Sequence, residues 1–143
     1  MGTITGASAV FAITVDSLFT APVQLQGFAA DDVFSFDPLD NAETKMGVDG
    51  IMSAGFKFVE VKQKIYLQAD SVSNAIFDLL YATEVQQLEK LFIQGTVSLP
   101  TIGTSWDMVN GVLSSYQPVP NTKTTLQPRE YQITWNSVSP ANT

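Results

Sequence analysis

The chain has 143 residues, of which 45% are hydrophobic and 15% are charged, and its formal net charge is −7. This length suits one domain with one core, and the composition is too apolar for a disordered chain. The chain has no cysteine and no histidine, which excludes disulfide bonds, thiolate nucleophiles and the side chain that most often serves in acid–base catalysis and zinc binding.

The first third of the chain is predicted to form short β-strands. In residues 9–15 the odd positions are apolar and the even positions become polar toward the end, which is typical of a half-buried strand. Residues 23–26 alternate in the same way, and residues 33–36 form a short strand that Pro38 ends, because proline cannot donate to a strand ladder. A polar, acidic loop is predicted to follow at about residues 38–50.

A change in the phase of the apolar residues predicts a bend in the next strand. From Met52 to Phe58 the apolar side chains occupy even positions, whereas from Val59 to Ala69 they occupy odd positions. Successive side chains of a strand point to opposite faces, so a flat strand through both runs would turn half of this apolar set outward. A β-bulge near Phe58 and Val59 would supply the extra residue that restores the facing.

Residues 71–90 are predicted to form the single helix of the fold. Four apolar residues recur there at a spacing of three or four, so they form a face that packs on a sheet. The residues of this face are Val72, Ile76, Leu79 and Leu80. Asp70 or Ser71 is expected to cap the first turn, and a capping-box pattern at residues 83–86 predicts a break into two helical pieces.

Strand patterns resume after the helix, at residues 92–99, about 106–116 and 130–135. In the last of these, three apolar residues alternate with polar ones, which indicates one covered face. Seven or eight strands with one helix predict a mainly β fold. We expect a β-sandwich or partly closed β-barrel with one flanking α-helix, in a single domain that spans residues 1–143.

Most of the negative charge lies in the first third of the chain. Residues 1–50 hold seven acids and one base, a net charge of −6, whereas residues 51–143 hold seven acids and six bases, a net charge of −1. This distribution argues against a nucleic-acid-binding groove, which needs Lys and Arg to replace the counterions of phosphates. Two interpretations stay open: an acidic surface that keeps the protein in solution, and a wall that repels DNA.

The sequence offers little for catalysis or cofactor binding. The acids between Asp31 and Glu43 lack the ordered ligand spacing of an EF-hand. A pair of carboxylates would serve glycoside hydrolysis only across a sugar-binding cleft, and Trp106 and Trp135 are the two large sugar platforms of the chain. The glycines form neither a dinucleotide-binding fingerprint nor a phosphate-binding loop. We therefore expect no enzyme activity, no metal site and no cofactor.

Membrane insertion and secretion are also not expected. No stretch approaches the ~20 apolar residues that a membrane-spanning helix requires. The apolar N-terminal segment is not preceded by the basic region of a secretory signal. We expect a soluble protein without a membrane-spanning segment.

The order of elements in the middle of the chain carries a family resemblance. An acidic loop closed by Met46–Gly50 leads into long strands up to Ala69, and Asp70 and Ser71 then open the helix. This order resembles the tail tube proteins of contractile-tailed bacteriophages, in a superfamily that includes secretion tubes. The resemblance implies a subunit that closes hexameric rings by continuing its sheet into its neighbours.

The same resemblance implies partners and a location. Stacked rings of the protein itself would form a tube, through which viral DNA passes without specific binding. Tail sheath, baseplate and tail terminator proteins would contact this tube. The expected location is the virion tail, after assembly in the bacterial host cytoplasm.

The resemblance also assigns residues to ring contacts and to the channel. The loop would reach the adjacent ring, with Asp40, Asn41, Glu43, Lys45, Met46, Gly47, Val48, Asp49 and Gly50 as candidates. The candidate acids of the lumen are Asp31, Asp32, Asp49, Glu60 and Asp70. Lys62 and Lys64 share a strand face with Glu60, so we expect them to face outward or to pair with neighbouring acids.

Two alternatives to a phage tail tube stay open. The same architecture fits a secretion-system tube protein or another ring-forming tail component, such as a terminator or a baseplate tube element. The alternative from another class is a carbohydrate-binding β-sandwich module. A tube subunit should form rings or polymers without a ligand, whereas a binding module should stay monomeric and bind glycans.

Overall fold

The structure, a computed structural model, describes residues 9–15, 18–29, 33–100 and 102–141. These residues form nine β-strands and one α-helix. The strands are β1 (Val10–Val15), β2 (Phe19–Gln24), β3 (Phe34–Phe36), β4 (Ala42–Met46), β5 (Met52–Phe56), β6 (Val61–Leu67), β7 (Ile93–Leu99), β8 (Thr104–Tyr116) and β9 (Arg129–Ala141). The helix is α1 (Asn74–Gln87).

Seven strands form one antiparallel sheet in the order β2-β1-β7-β8-β9-β6-β3. The segment between its two edge strands touches both halves of the sheet: Leu25 N donates to Phe11 O at 2.8 Å, and Ala29 N donates to Tyr66 O at 3.0 Å. Phe11 and Phe34 also pack edge to face, with ring centroids 5.8 Å apart. The sheet therefore curls strongly without closing into a barrel, which confirms the predicted mainly β, sandwich-like fold.

The inner face of the curled sheet holds the core. Burial alternates along β1, β6 and β9 as the sequence predicts, because every second side chain points to this face. Phe11, Phe77, Tyr131 and Trp135 are completely buried, and burial of such a side chain stabilises the fold by roughly 1.5–3 kcal/mol. Trp135 Nε1 donates to Gln63 Oε1 at 2.9 Å, so the indole nitrogen keeps a hydrogen bond inside the core.

Helix α1 packs on this inner face, but through a different set of residues from the predicted one. Its buried residues are Asn74, Phe77, Leu80 and Glu84. Of the predicted apolar face, Leu80 is buried and Ile76 packs against the core, whereas Val72 is 75% exposed and Leu79 is 47% exposed. The polar Asn74 takes an inward position because Tyr131 donates its hydroxyl hydrogen to Asn74 Oδ1 at 2.8 Å.

The helix is continuous, and the predicted break does not occur. Thr83 Oγ1 donates to Leu79 O at 2.8 Å, so the Thr83 side chain bonds within the helix instead of capping a second one. In the turn before the helix, Ser71 Oγ accepts a hydrogen bond from Ser73 N at 3.2 Å. The N-cap residue is Ser73, which makes no side-chain capping hydrogen bond, so the expected cap by Asp70 or Ser71 is not formed.

Two predictions for residues 38–61 are wrong. Part of the predicted loop is strand β4, which pairs with β5 in a separate two-stranded sheet. The predicted bulge at Phe58 and Val59 is instead a break: β5 ends at Phe56, and β6 begins at Val61 in the large sheet. The phase of the apolar residues changes because the chain passes from one sheet to another there.

Within the described part of the chain, no helix is long and apolar enough to cross a membrane.

Candidate assembly surface

The hairpin of β4 and β5 has one largely apolar face. Its cross-strand register places Met46 opposite Met52 and Ala42 opposite Phe56. Since alternate residues of a strand point to the same side, every second residue belongs to this face. We call it the apolar hairpin face; its residues are Ala42, Thr44, Met46, Met52, Ala54 and Phe56. The opposite face carries Glu43, Lys45 and Ser53.

No part of this hairpin is buried against the domain. Every residue of β4 and β5 is exposed, with Met46 at 64%, Met52 at 56% and Phe56 at 70%. Phe58, just past the hairpin, is 94% exposed and packs on Phe56 with ring centroids 5.0 Å apart. A lone two-stranded hairpin is marginally stable in water, and a contiguous exposed apolar patch marks an interaction surface. The hairpin is therefore a candidate interaction surface.

The tip of the hairpin is an ordered turn. Gly47 N donates to Ile51 O at 2.9 Å, and Gly50 N donates to Gly47 O at 3.0 Å. Asp49 Oδ1 accepts a hydrogen bond from Ile51 N at 3.1 Å. Gly50 has φ of 83°, a value that glycine adopts without strain. The turn leaves Val48 fully exposed at the tip of the hairpin.

All nine candidates for ring stacking lie on or beside this hairpin. Asn41 O accepts a hydrogen bond from Lys57 N at 3.0 Å and so closes the root, which Asp40 precedes. Three candidates lie in β4, namely Glu43, Lys45 and Met46, and four form the turn, namely Gly47, Val48, Asp49 and Gly50. Strand β4 was not predicted from the sequence because its centre is polar. The signal that could have revealed it is that Ala42 and Met46 occupy even positions, as the apolar residues of β5 do.

A second apolar surface lies beside the root of the hairpin. A groove of about 510 Å³ is formed by the ends of β3, β6, β7, β8 and β9. We call it the end groove; its lining residues include Phe36, Leu39, Val61, Trp106, Val138 and Pro140. Asp37 is the one charged residue in its lining. Leu39 is 48% exposed, although the end groove gives it apolar neighbours.

The structure does not bring the predicted lumen acids together. Asp49 lies in the hairpin turn, whereas Glu60 directly precedes β6 and Asp70 follows its end. Glu60 and Asp70 are therefore at opposite ends of one strand. Asp31 and Asp32 lie outside the described residues.

The outer face of the large sheet is polar and carries the two lysines of β6. Lys62 lies opposite Thr134, and Lys64 lies opposite Gln132, on the side away from the core. Lys62 Nζ is 3.9 Å from Glu60 Oε1. Lys62 therefore pairs with a neighbouring acid, and this pairing reduces the negative charge that Glu60 contributes. That the two lysines face away from a channel stays a prediction.

An ion pair between a buried arginine and a half-exposed aspartate joins the helix to the sheet. Arg129, 7% exposed, donates to Asp78 of α1 and to Gln117 O. Tyr116 also donates its hydroxyl hydrogen to Asp78 Oδ1. The Arg129 hydrogen bond lowers the pKa of Asp78 below its usual value. Burial raises the pKa of Tyr131, which is stacked on Phe77. These groups join helix α1 to strands β8 and β9.

Among the described residues, no group of three or more acidic side chains converges closely enough to hold a metal ion.

Comparison with known families gives one match that spans nearly the whole chain. The family model described as tail fiber protein gp32 matches residues 2–139. No curated protein sequence matches the chain significantly.

Solved structures with a similar fold come from contractile injection systems. One is in the six-fold symmetrised cryo-EM structure of the anti-feeding prophage baseplate, with a TM-score of 0.60 at 8% identity, covering 99% of this chain and 97% of the other. A chain of the anti-feeding prophage tube-terminating cap has a TM-score of 0.57 at 14% identity, and the similarity covers 100% of this chain and 93% of the other. A chain of the PVC sheath-tube complex of an extracellular contractile injection system has a TM-score of 0.56 at 15% identity. The similarity covers 93% of this chain and 88% of the other. At these identities the likeness is one of fold.

Proposed function

We propose that this chain, which belongs to the tail fiber protein gp32 family, is the structural subunit of a phage tail tube. Six copies would close a ring by pairing sheet edges, and the rings would stack into a channel for viral DNA. The role is non-enzymatic. The protein would act in the virion tail, in contact with the sheath, the baseplate and the tail terminator, after assembly in the host cytoplasm.

The observation that carries this proposal is the uncovered apolar hairpin face. A single subunit leaves Met46, Met52 and Phe56 exposed to water, although their spacing is that of a buried strand face. Burying apolar side chains is the main favourable term in association. The edge strands β2 and β3 are further open positions for sheet pairing between copies. Both features favour a protein that assembles with itself.

The family description names a tail fiber, whereas the solved structures with this fold include a sheath-tube complex, a tube-terminating cap and a baseplate. The proposal follows the fold, because the similarity covers 88%, 97% and 93% of those chains. A cap or baseplate ring is the second candidate, since the baseplate and cap chains are covered at 97% and 93%. The six-fold symmetry of that baseplate supports hexameric rings.

The hairpin is the proposed contact between rings. Residues 38–50 would be mobile in the free subunit and ordered in the tube, because their contacts come from a second copy. The proposed wall of the channel is net negative and repels DNA, with Asp31, Asp32 and Asp49 as the main acids and Asp70 as a further candidate. Glu60 contributes less because it pairs with Lys62 at 3.9 Å.

Negative-stain electron microscopy of the purified protein over a concentration series tests the proposal. Rings or tubes with a central channel are expected, and single rings that do not stack would favour a cap or baseplate role. Light scattering should show growth in mass with concentration. A monomer at every concentration, in low and in high salt, would exclude a tube subunit.

A further inference from the structure

Two tyrosines of this chain lie face to face where the helix meets the sheet. Tyr81 of α1 and Tyr116, the last residue of β8, have ring centroids 4.4 Å apart and ring planes 8° apart. Tyr81 is 45% exposed, and both residues line a surface pocket of about 300 Å³. A small reagent in solution can therefore reach the pair.

Tyr116 also has a base in contact with its phenol. Its hydroxyl donates to Asp78 Oδ1, and Arg129 Nη2 donates to the same oxygen at 2.7 Å. The hydrogen bond from Arg129 lowers the pKa of Asp78, so the carboxylate is ionised at neutral pH. A phenol that loses an electron becomes a strong acid, and a base already within hydrogen-bond reach accepts its proton. Tyr116 is therefore placed for one-electron oxidation.

We propose that Tyr81 and Tyr116 form an oxidative cross-linking site, at which one-electron oxidants join the two rings as dityrosine. Each phenol gives one electron to one oxidant molecule; Asp78 accepts the proton of Tyr116, and water accepts that of Tyr81. The two phenoxyl radicals then form a carbon–carbon bond between ring positions next to the hydroxyls. The hydrogen of each bonded carbon moves to its own ring oxygen through water, which restores both phenols. The net loss is two electrons and two protons.

The geometry favours this pair over the other two tyrosines. Because the rings of Tyr81 and Tyr116 are already stacked, their coupling needs no diffusive encounter. Tyr131 is completely buried, and its hydroxyl donates at 2.8 Å to the amide oxygen of Asn74, which is not a base. Tyr66 lies on the polar outer face of β6, on the other side of the sheet from the helix.

The cross-link would brace the fold covalently. It joins helix α1 to strand β8 and closes the chain between residues 81 and 116 into a loop. Such a bond restricts the unfolded state, as a disulfide does. The chain has no cysteine, so a disulfide cannot supply this brace. The inference is independent of the tube proposal, because it concerns contacts within one subunit.

Photo-oxidation of the full chain tests the site, at a protein concentration too low for assembly. The probe is ruthenium(III) tris(bipyridine), generated by light with persulfate as the final electron acceptor; its positive charge suits a chain of net charge −7. The expected product is a monomer that has lost two hydrogen atoms and shows dityrosine fluorescence. Mass spectrometry of the linked peptides should place the bond between Tyr81 and Tyr116. The midpoint of thermal unfolding of this product should rise.

Two conservative variants separate the site from general tyrosine oxidation. Tyr81→Phe keeps the ring and removes the phenol, so the yield of the monomeric product should fall by about tenfold or more. Tyr66→Phe is the matched control and should keep the wild-type yield. Circular dichroism establishes that both variants are folded.

Asp78→Asn tests the positioning of the base. The variant keeps both tyrosines, so its yield should fall at neutral pH and recover above the phenol pKa of about 10, where the phenolate needs no base. Arg129 stays charged throughout, and Lys90, which lines the same pocket, loses its charge in both proteins. A wild-type to variant ratio that is equal at both pH values would show that Asp78 acts only through structure.

Three results would overturn the site. One is a wild-type yield in Tyr81→Phe, and another is a bond that maps to Tyr66 or Tyr131. The third is dityrosine found only in cross-linked dimers, which would mean that coupling occurs between molecules. A yield of cross-linked monomer that is independent of protein concentration supports the site, and the tube proposal stands or falls separately.

Discussion

Arg129 Nη2 donates to Asp78 Oδ1 at 2.7 Å, and this ion pair joins the first residue of β9 to the middle of helix α1. Arg129 is buried, whereas Asp78 is half exposed. The carboxylate therefore neutralises a guanidinium that has lost most of its water. Removing the partner of a buried charge costs more free energy of folding than removing an exposed ion pair.

The first prediction concerns the loss of this charge pair. Asp78→Asn keeps the shape of the side chain and removes its charge, so we expect the free energy of unfolding to fall by about 1–2 kcal/mol, because hydrogen bonds to charged groups are worth about that much in a partly exposed site. Chemical denaturation at a protein concentration too low for assembly measures it. Glu130→Gln, at an exposed site, is the matched control and should change stability by less than about 0.5 kcal/mol.

The second prediction is the pH dependence of the same pair. The pKa of Asp78 is lowered in the folded state, so its contribution to stability is complete above the unfolded pKa of about 3.9 and is lost as pH falls through the lower folded value. The wild type should therefore lose more stability than Asp78→Asn between about pH 5 and pH 2. Parallel curves for the two proteins in this range would contradict the assignment.

The third prediction tests the close packing of β8 on Trp135. A Cβ added at Gly111 would lie 2.5 Å from Trp135 Cε3, and the buried indole has no room to move. Gly111→Ala should destabilise the domain by about 1–3 kcal/mol through overpacking. Gly55→Ala is the control, because nothing lies within 4 Å of its added Cβ. An equal effect of both substitutions would show that the packing at Trp135 is not tight.

The fourth prediction concerns hydrogen exchange in the hairpin. In the free subunit, at a concentration too low for assembly, the amides of residues 42–56 should exchange fast, because a lone exposed hairpin opens easily. In the wild-type assembly the same amides should be protected many-fold more strongly. Amides of β9 are the internal reference, since they lie in the core sheet in both states. Equal and strong protection of the hairpin in both states would contradict the proposed ordering.

The fifth prediction tests the acidic channel. Phage particles built with Asp70→Lys should assemble nearly as well as the wild type but eject DNA more slowly, because the added cations hold phosphates in the channel. The defect should shrink in high salt, where charges are screened. Glu89→Lys makes the same charge change at an exposed site after the helix. Unimpaired ejection by the Asp70 variant would refute an acidic wall there and leave the tube assignment in place.

The sequence predicted the core strands because their chemistry is local. Tyr131, Ile133 and Trp135 alternate with polar residues, and the structure buries all three. Phe11, Ile13 and Val15 do the same in β1. A strand with one covered face needs this alternation of apolar and polar residues, whichever element packs on that face. The class of the fold therefore followed from the pattern.

The helix shows where the pattern failed. Spacing alone favoured Val72 and Leu79, yet Asn74 and Glu84 are the residues that face inward. Their polar groups are partly satisfied by hydrogen bonds, Asn74 by Tyr131, which is far away in the chain, and Glu84 by Leu91 N, seven residues further on, at 3.2 Å. Hydrogen bonds between residues far apart in the chain are not visible in a local period.

The sequence by itself determined that Met52, Ala54 and Phe56 share one side of a strand, because that depends only on the period of two. Only the tertiary structure decided that this strand leaves the main sheet, pairs with β4 and turns its apolar side to water. The pattern indicates an apolar strand face, which is typical of a face that packs against other residues. Which chain covers it depends on the path of the backbone in space, and here the remainder of the described chain does not.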